Sequence, residues 1–219
     1  LLKGWIKNNI KNIYFVDPKI KKNYNSKGIK YFKSFSKINN NINFDIVFFA
    51  VKPQNIDSVI VQYQRIFLNN QLCISIIAGK TIKYFENKLG KNVSIIRAMP
   101  NLPASIGSAV TCLFSNKNIK PIQKKYSEKL FQSIGKIYWV YNENIVNKFT
   151  SLSGSGPAYY YYFIECLQSA GVKIGLSKNL SYKLARETAI GSIKLLERLD
   201  ESASVMRKKI AVKGGTTEA

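Results

Sequence analysis

Five short segments of this chain combine residue types and spacings that suit ligand chemistry. The last, Gly214-Gly215-Thr216-Thr217, frees the backbone at two glycines and then offers two hydroxyls at what could open a helix. Such a turn can hold a carboxylate on backbone N–H groups and the local dipole, although the same pattern is common in plain loops. Ser151-Leu152-Ser153-Gly154-Ser155-Gly156-Pro157-Ala158 puts small residues at a helix start, which leaves backbone donors accessible. The tyrosines that follow, Tyr159 to Tyr162, occupy every face of that helix and read mostly as packing residues. Phe48-Phe49-Ala50-Val51-Lys52-Pro53 is an apolar strand that must turn at its end, because the residue before Pro53 is held extended. By itself it is equally a strand followed by a proline-started helix. Ser75-Ile76-Ile77-Ala78-Gly79 and Arg97-Ala98-Met99-Pro100-Asn101-Leu102-Pro103-Ala104 also follow apolar strands. Ala78 and Gly79 would let a flat ring or ribose approach the backbone, and Pro100 and Pro103 stiffen the next loop. A tight turn explains either segment alone. Three such loops at one sheet edge point instead to a cofactor crevice.

What is missing narrows the chemistry. The chain has no histidine, which excludes His-dependent general-base catalysis, His-containing triads and most zinc sites. Its three cysteines, Cys73, Cys112 and Cys166, sit in apolar stretches without metal-ligand spacing and read as buried free thiols in a reducing compartment. No apolar run approaches the ~20 residues that cross a bilayer. The formal charge of +22 could signal a basic nucleic-acid-binding module, which would bind with steep salt dependence. The lysines are however spread along the chain, and runs such as Arg207-Lys208-Lys209 are short enough to be solvated faces.

These segments need a scaffold, and the hydrophobic pattern supplies one. Short β-rich runs at 13–16, 45–51, 72–78, 93–97, 109–114 and 136–141 alternate with helical stretches including 56–67 and 121–134. That rhythm predicts an α/β, doubly wound, mostly parallel sheet. Strand signals stop after Tyr141, and helices are predicted over 159–170 and 178–199, the latter with Ser177 as N-cap. The expected division is a Rossmann-like domain over 1–144 and an all-α domain over 145–219.

In this order, the segments resemble the pyrroline-5-carboxylate reductase family. Residues 50–53, 95–103 with their Arg-Ala-Met-Pro-Asn core, 152–158 and 214–217 carry the resemblance, which spans nearly the whole chain. It implies a Rossmann-like domain that binds NADPH or NADH, and a helical domain that intertwines with its partner in a homodimer or a larger ring of dimers. It implies reduction of the small molecule 1-pyrroline-5-carboxylate to L-proline, the last step of proline biosynthesis, in the cytoplasm, with no nucleic-acid, membrane or metal requirement. By similarity, Ala50, Val51, Lys52, Pro53, Ile76, Ile77 and Ala78 line the cofactor, followed by Met99, Pro100 and Asn101. Thr217 is the catalytic residue, hydrogen-bonded to the ring nitrogen, and Gly215, Thr216 and Thr217 bind the substrate carboxylate. Glu143 matches a position associated with substrate or product binding. Asp17 stands where an acid would bind the adenosine ribose and favour NADH, whereas Lys19, Lys21 and Lys22 could meet a 2′-phosphate, so both cofactors stay open.

The chain departs from the family pattern in places. Leu1 reads as the middle of a helix and both ends read as cut, with the first strand, its glycine-rich turn and the last helices expected outside these residues. The 219 residues alone are then expected to bind dinucleotide poorly and to be inactive. Lys213 stands where the family has proline. The rival enzyme reading is another Rossmann-plus-helical dehydrogenase acting on a hydroxy or keto acid; its motif around the catalytic lysine is not what surrounds Lys148 or Lys173.

Overall fold

The computed structural model describes residues 1–21, 24–26, 28–39, 41–67 and 70–211. A short helix, α1 (Leu2–Lys7), buries Trp5 and leads into β1 (Ile13–Val16), β2 (Tyr24–Ser26) and β3 (Ile29–Phe32). These strands form one sheet in the order β1-β3-β2, with β1 parallel and β2 antiparallel to β3. A second sheet follows, made of β4 (Ile46–Phe49), β5 (Leu72–Ser75), β6 (Ser94–Met99), β7 (Ala109–Ser115) and β8 (Gly135–Trp139), adjacent in that order. Among the described residues, β1 and β4 are each paired on one side only. The helices α2 (Ile56–Tyr63), α3 (Ile82–Leu89), α4 (Pro121–Gln132) and α5 (Glu143–Phe149) lie between or after these strands. A π-helical turn at Thr150–Gly154 then precedes α6 (Gly156–Lys173), α7 (Lys178–Leu199) and α8 (Ala203–Ile210).

The large sheet is covered on both faces because its central strands carry apolar residues on both. All four residues of β5 and all six of β6 are buried. Leu72, Ile74, Ile96 and Ala98 pack on one side with Trp5 of α1, Phe131 of α4 and Ile134. Cys73, Ile95, Val47 and Phe49 pack on the other with Ile56 and Ile60 of α2 and Ile82 and Phe85 of α3. Each such aliphatic or aromatic side chain withdrawn from water contributes about 1.5–3 kcal/mol. Trp5 also donates its indole N–H to the Leu130 carbonyl at 3.0 Å, which ties α1 to α4. At the far edge, Gly135 sits at φ +149°, and a Cβ there would lie 2.1 Å from the Ala109 carbonyl oxygen. Only glycine lets β8 start this close to β7.

The predicted α/β architecture is present, with differences that have local causes. The runs expected at 45–51 and 72–78 shorten to β4 and β5, since the chain leaves the ladder at their carboxyl ends to form loops. β7 runs antiparallel to β6 rather than parallel. A parallel return needs a crossover of about a dozen residues or more; residues 100–108 offer only a 3₁₀ turn at Leu102–Ile106, so the strand must fold straight back. The helix expected over 56–67 becomes α2 plus a 3₁₀ turn at Gln64–Ile66.

The chain divides into two compact units, Leu1–Pro157 and Ala158–Ala219. In the second, α7 has the predicted bounds, and the Ser177 side chain caps it by accepting from the Leu180 N–H at 3.3 Å. Ser181 and Ala185 are its buried residues, whereas Leu184, Ile193, Leu195 and Leu199 are exposed. No helix among the described residues is long and apolar enough to cross a membrane.

Candidate functional site

Because β4, β5 and β6 are parallel, their carboxyl ends, and the loops that follow, share one edge of the sheet. After β4, Ala50 and Lys52 are exposed, Lys52 is extended, and Pro53 opens a 3₁₀ turn that feeds α2. After β5, the Ser75 hydroxyl accepts from the Ile77 N–H at 3.2 Å and bends the backbone. Ala78 and Gly79 then emerge at the surface, with Gly79 in the left-handed region at φ +74° and open space around the position of a Cβ. Two small-residue loops on adjacent strands therefore leave backbone accessible for a flat ring or ribose. These residues fit a nicotinamide dinucleotide at that edge.

Not every expected cofactor residue presents its side chain. Ile77 is 2% exposed and packs in one cluster with Phe49 and Phe85, so its side chain is withdrawn from any ligand at the edge. Met99 is buried against Cys112 and Val146 of α5. Asn101 spends its amide on the protein: Oδ1 accepts from the Val110 N–H at 2.9 Å, and Nδ2 donates to the Ser153 carbonyl at 3.1 Å. Ile77 is turned inward where the Ser75 hydroxyl bends the backbone, Met99 ends a strand buried along its whole length, and the fold-back into β7 captures Asn101. Asp17 follows β1 on the other sheet, where its Oδ1 accepts from the Lys19 N–H at 2.9 Å. Gly215, Thr216 and Thr217 lie outside the described residues, as do Lys22 and Lys213.

Glu143 takes part in a group that sequence reasoning did not assemble. Arg97, 2% exposed in β6, donates through Nη1 to Glu143 Oε1 at 3.1 Å and through Nη2 to Asn147 Oδ1 at 2.9 Å. The same Glu143 oxygen accepts from the backbone N–H of Ile82, the first residue of α3, at 2.8 Å. Arg97 Nε is buried without a hydrogen-bond partner among the described residues. A signal was present in the sequence: an arginine inside an apolar strand must find acceptors when buried, and Glu143 and Asn147, four apart, share one helix face.

Electrostatics elsewhere on this edge is set by short contacts. The Tyr84 hydroxyl donates to Asp57 Oδ1 at 2.8 Å and, with Lys80 and Lys88 nearby, holds that carboxyl below its ordinary range. Burial, reinforced by Asp57, pushes the Tyr84 phenol up to about 12. Burial raises the Cys73 thiol and pushes Cys112 up to about 11, so neither supplies a thiolate at neutral pH, whereas Cys166 on α6 is exposed rather than buried. No group of three or more His, Cys, Asp or Glu among the described residues is placed to hold a metal.

Comparisons with known proteins bear on this geometry. A family model described as pyrroline-5-carboxylate reductase dimerisation matches residues 143–219. The chain is 33% identical over 175 residues to pyrroline-5-carboxylate reductase 1 of Bacillus spizizenii, an alignment covering 80% of this chain and 59% of that protein. It is 35% identical over 175 residues to the pyrroline-5-carboxylate reductase of Synechocystis sp., covering 80% of this chain and 64% of that protein. The chain thus spans 59–64% of the length of these curated relatives. A solved pyrroline-5-carboxylate reductase from Coxiella burnetii superposes with a TM-score of 0.86 at 31% identity, over 99% of this chain and 82% of that one. The Plasmodium falciparum pyrroline carboxylate reductase, solved with NADP bound, gives 0.82 at 33% identity with the same coverage.

Proposed function

Because this chain belongs to the pyrroline-5-carboxylate reductase family, we propose that it forms part of an enzyme reducing 1-pyrroline-5-carboxylate to L-proline with NADPH or NADH. The observation that carries this reading is the shared carboxyl edge of β4 and β5, where Ala50, Ala78 and Gly79 leave accessible backbone. The likeness to solved reductases over 99% of the chain supports it.

In the proposed site, Ala50, Val51, Lys52 and Pro53, with the backbone of Ile76, Ile77 and Ala78, receive the dinucleotide. Met99, Pro100 and Asn101 form the wall behind them, acting through packing and loop shape. Asp17 takes the adenosine ribose. Gly215, Thr216 and Thr217 bind the substrate carboxylate, and the Thr217 hydroxyl meets the ring nitrogen. The bound dinucleotide supplies a hydride to the imine carbon. The chain's own residues align the two reactants, which is where much of the acceleration arises. A protonated imine is already electrophilic, so this chemistry proceeds without a histidine or a metal.

The proposed domain division is dinucleotide-binding over 1–144 and dimerisation over 145–219, supported by the start of the family match at residue 143. The proposed assembly is a homodimer or a ring of dimers in the cytoplasm. Exposed Leu184, Ile193, Leu195 and Leu199 on α7 support an assembly, since such a surface gains by being covered.

The test is consumption of reduced dinucleotide by the full-length protein with pyrroline-5-carboxylate, run beside a panel of hydroxy and keto acids. Turnover of the imine is expected. Turnover of an acid in its place would overturn the reading.

A further inference from the structure

Two loops at the carboxyl edge meet at one carboxylate. Oε1 of Glu143 accepts the Ile82 N–H at 2.8 Å and the Arg97 guanidinium at 3.1 Å. Ile82 is the first residue of α3, and its N–H is one of the helix-start donors that have no intrahelical partner. Thr81, the N-cap, satisfies the Tyr84 N–H instead, so the Ile82 donor depends on Glu143. Arg97 is fixed in the centre of the sheet, beside Ser75 of β5 and Phe114 of β7. Its second arm holds Asn147, one turn along α5 from Glu143. α5 in turn runs directly into the π-helical turn at Thr150–Gly154. One side chain therefore joins the start of α3, a buried cation in β6 and the helix that leads to the Ser/Gly-rich loop.

We propose that Glu143 is a positioning residue that clamps the start of α3, and with it the dinucleotide loop 76–81, to α5, rather than a ligand of the substrate. The inference rests on the reductase reading for what the loop binds. Its physical core does not, since both bonds of the carboxylate oxygen are internal to the protein. A charged acceptor at a helix N-terminus also favours the local dipole. The guanidinium fixes that acceptor, because Arg97 is enclosed and its hydrogen-bond geometry is rigid.

Native-state hydrogen exchange and ligand titration on Glu143→Ala and Glu143→Gln provide the test. In Glu143→Ala, exchange at the Ile82 amide is expected to quicken about tenfold relative to the Leu113 amide in β7, as loss of a charge-assisted bond implies. In the full-length protein, NADPH binding is expected to weaken by about tenfold while the Michaelis constant for pyrroline-5-carboxylate stays within about twofold. Glu143→Gln keeps a carbonyl oxygen for the Ile82 N–H and should recover most of that protection and affinity. If Glu143→Ala does not fold, Glu143→Asp, one methylene short of Ile82, gives the same comparison. Ile82 exchange that merely follows Leu113 would overturn the clamp. So would a rise in the imine Michaelis constant with NADPH affinity unchanged, which would make Glu143 a substrate ligand. Failure of the unaltered protein to reduce the imine counts against the reductase reading alone, because the exchange comparison needs no turnover.

Discussion

Asn101 is hydrogen-bonded to Ser153 across 52 residues of sequence, its Nδ2 donating to the Ser153 carbonyl at 3.1 Å. The bond joins the loop after β6 to the π-helical turn, and Asn101 Oδ1 simultaneously accepts from the Val110 N–H at 2.9 Å. Only an amide side chain offers a donor and an acceptor in that geometry.

Asn101→Asp keeps the acceptor for Val110 but turns an oxygen towards the Ser153 carbonyl. The expected cost is about 1–3 kcal/mol, from an unsatisfied carbonyl and a misplaced charge. Urea unfolding should show a lower midpoint with an unchanged slope. A midpoint equal to that of the unaltered protein would mean the Asn101–Ser153 bond adds nothing.

Arg97 is the largest fully buried side chain, so its removal should register strongly. Arg97→Ala opens a cavity and strips Glu143 of its ion pair, at an expected cost of about 3–5 kcal/mol in chemical denaturation. Arg97→Met refills the volume while Glu143, partly exposed, can hydrate, and it should lose clearly less. Equal losses in the two variants would locate the stabilisation in the charge alone.

Two glycines differ in what a methyl group would meet. At Gly79 nothing lies within 4 Å, so Gly79→Ala should cost only the left-handed backbone penalty, about 1–2 kcal/mol. At Gly135 the Cβ would strike the Ala109 backbone between β7 and β8, and about 3 kcal/mol or more is expected. Melting temperatures of the two variants check that order, with Gly135→Ala the lower.

The Asp57–Tyr84 pair predicts a pH response with a definite sign. The folded pKa of Asp57 lies below its ordinary value of 3.8, so its ionised form supports the fold above that pH and the support is lost as pH falls through the folded value. Asp57→Asn should therefore flatten the acid limb of the stability curve below about pH 4. The Tyr84 phenol, at about 12, should move down in this variant yet stay above 10.0, because burial is the larger cause of its rise. Tyrosinate absorbance during alkaline titration measures that shift.

Legibility in the sequence followed the range of the interactions concerned. The central strands were readable because runs such as Leu72–Ser75 are apolar throughout, and α7 was readable from its repeat and from Ser177. β2 and β3 were not: β2 is three residues long and pairs only with β3, and β3 depends on its parallel partner β1. The loops after β4 and β5 were visible as small residues after apolar runs. The inward turn of Ile77 follows the bend at Ser75, and Met99 closes a fully buried strand; loop-like neighbours concealed both. Glu143 and Arg97 lie 46 residues apart, and nothing local announces their meeting. That contact exists only once β6 and α5 are packed.

The one-sided pairing of β8, which among the described residues bonds only to β7, carries a consequence for handling the protein in solution. An unpaired strand edge presents a row of N–H and C=O groups that can template stacking with another chain, the starting point of aggregation. The five-residue β8 limits the length of that template, its exposed Lys136 sets a charge on the edge, and the formal charge of +22 keeps like chains apart. Salt shortens the reach of that repulsion to about 10 Å at 0.1 M. Colloidal behaviour should therefore worsen as ionic strength rises, with dilute buffers the safer medium for purification and storage.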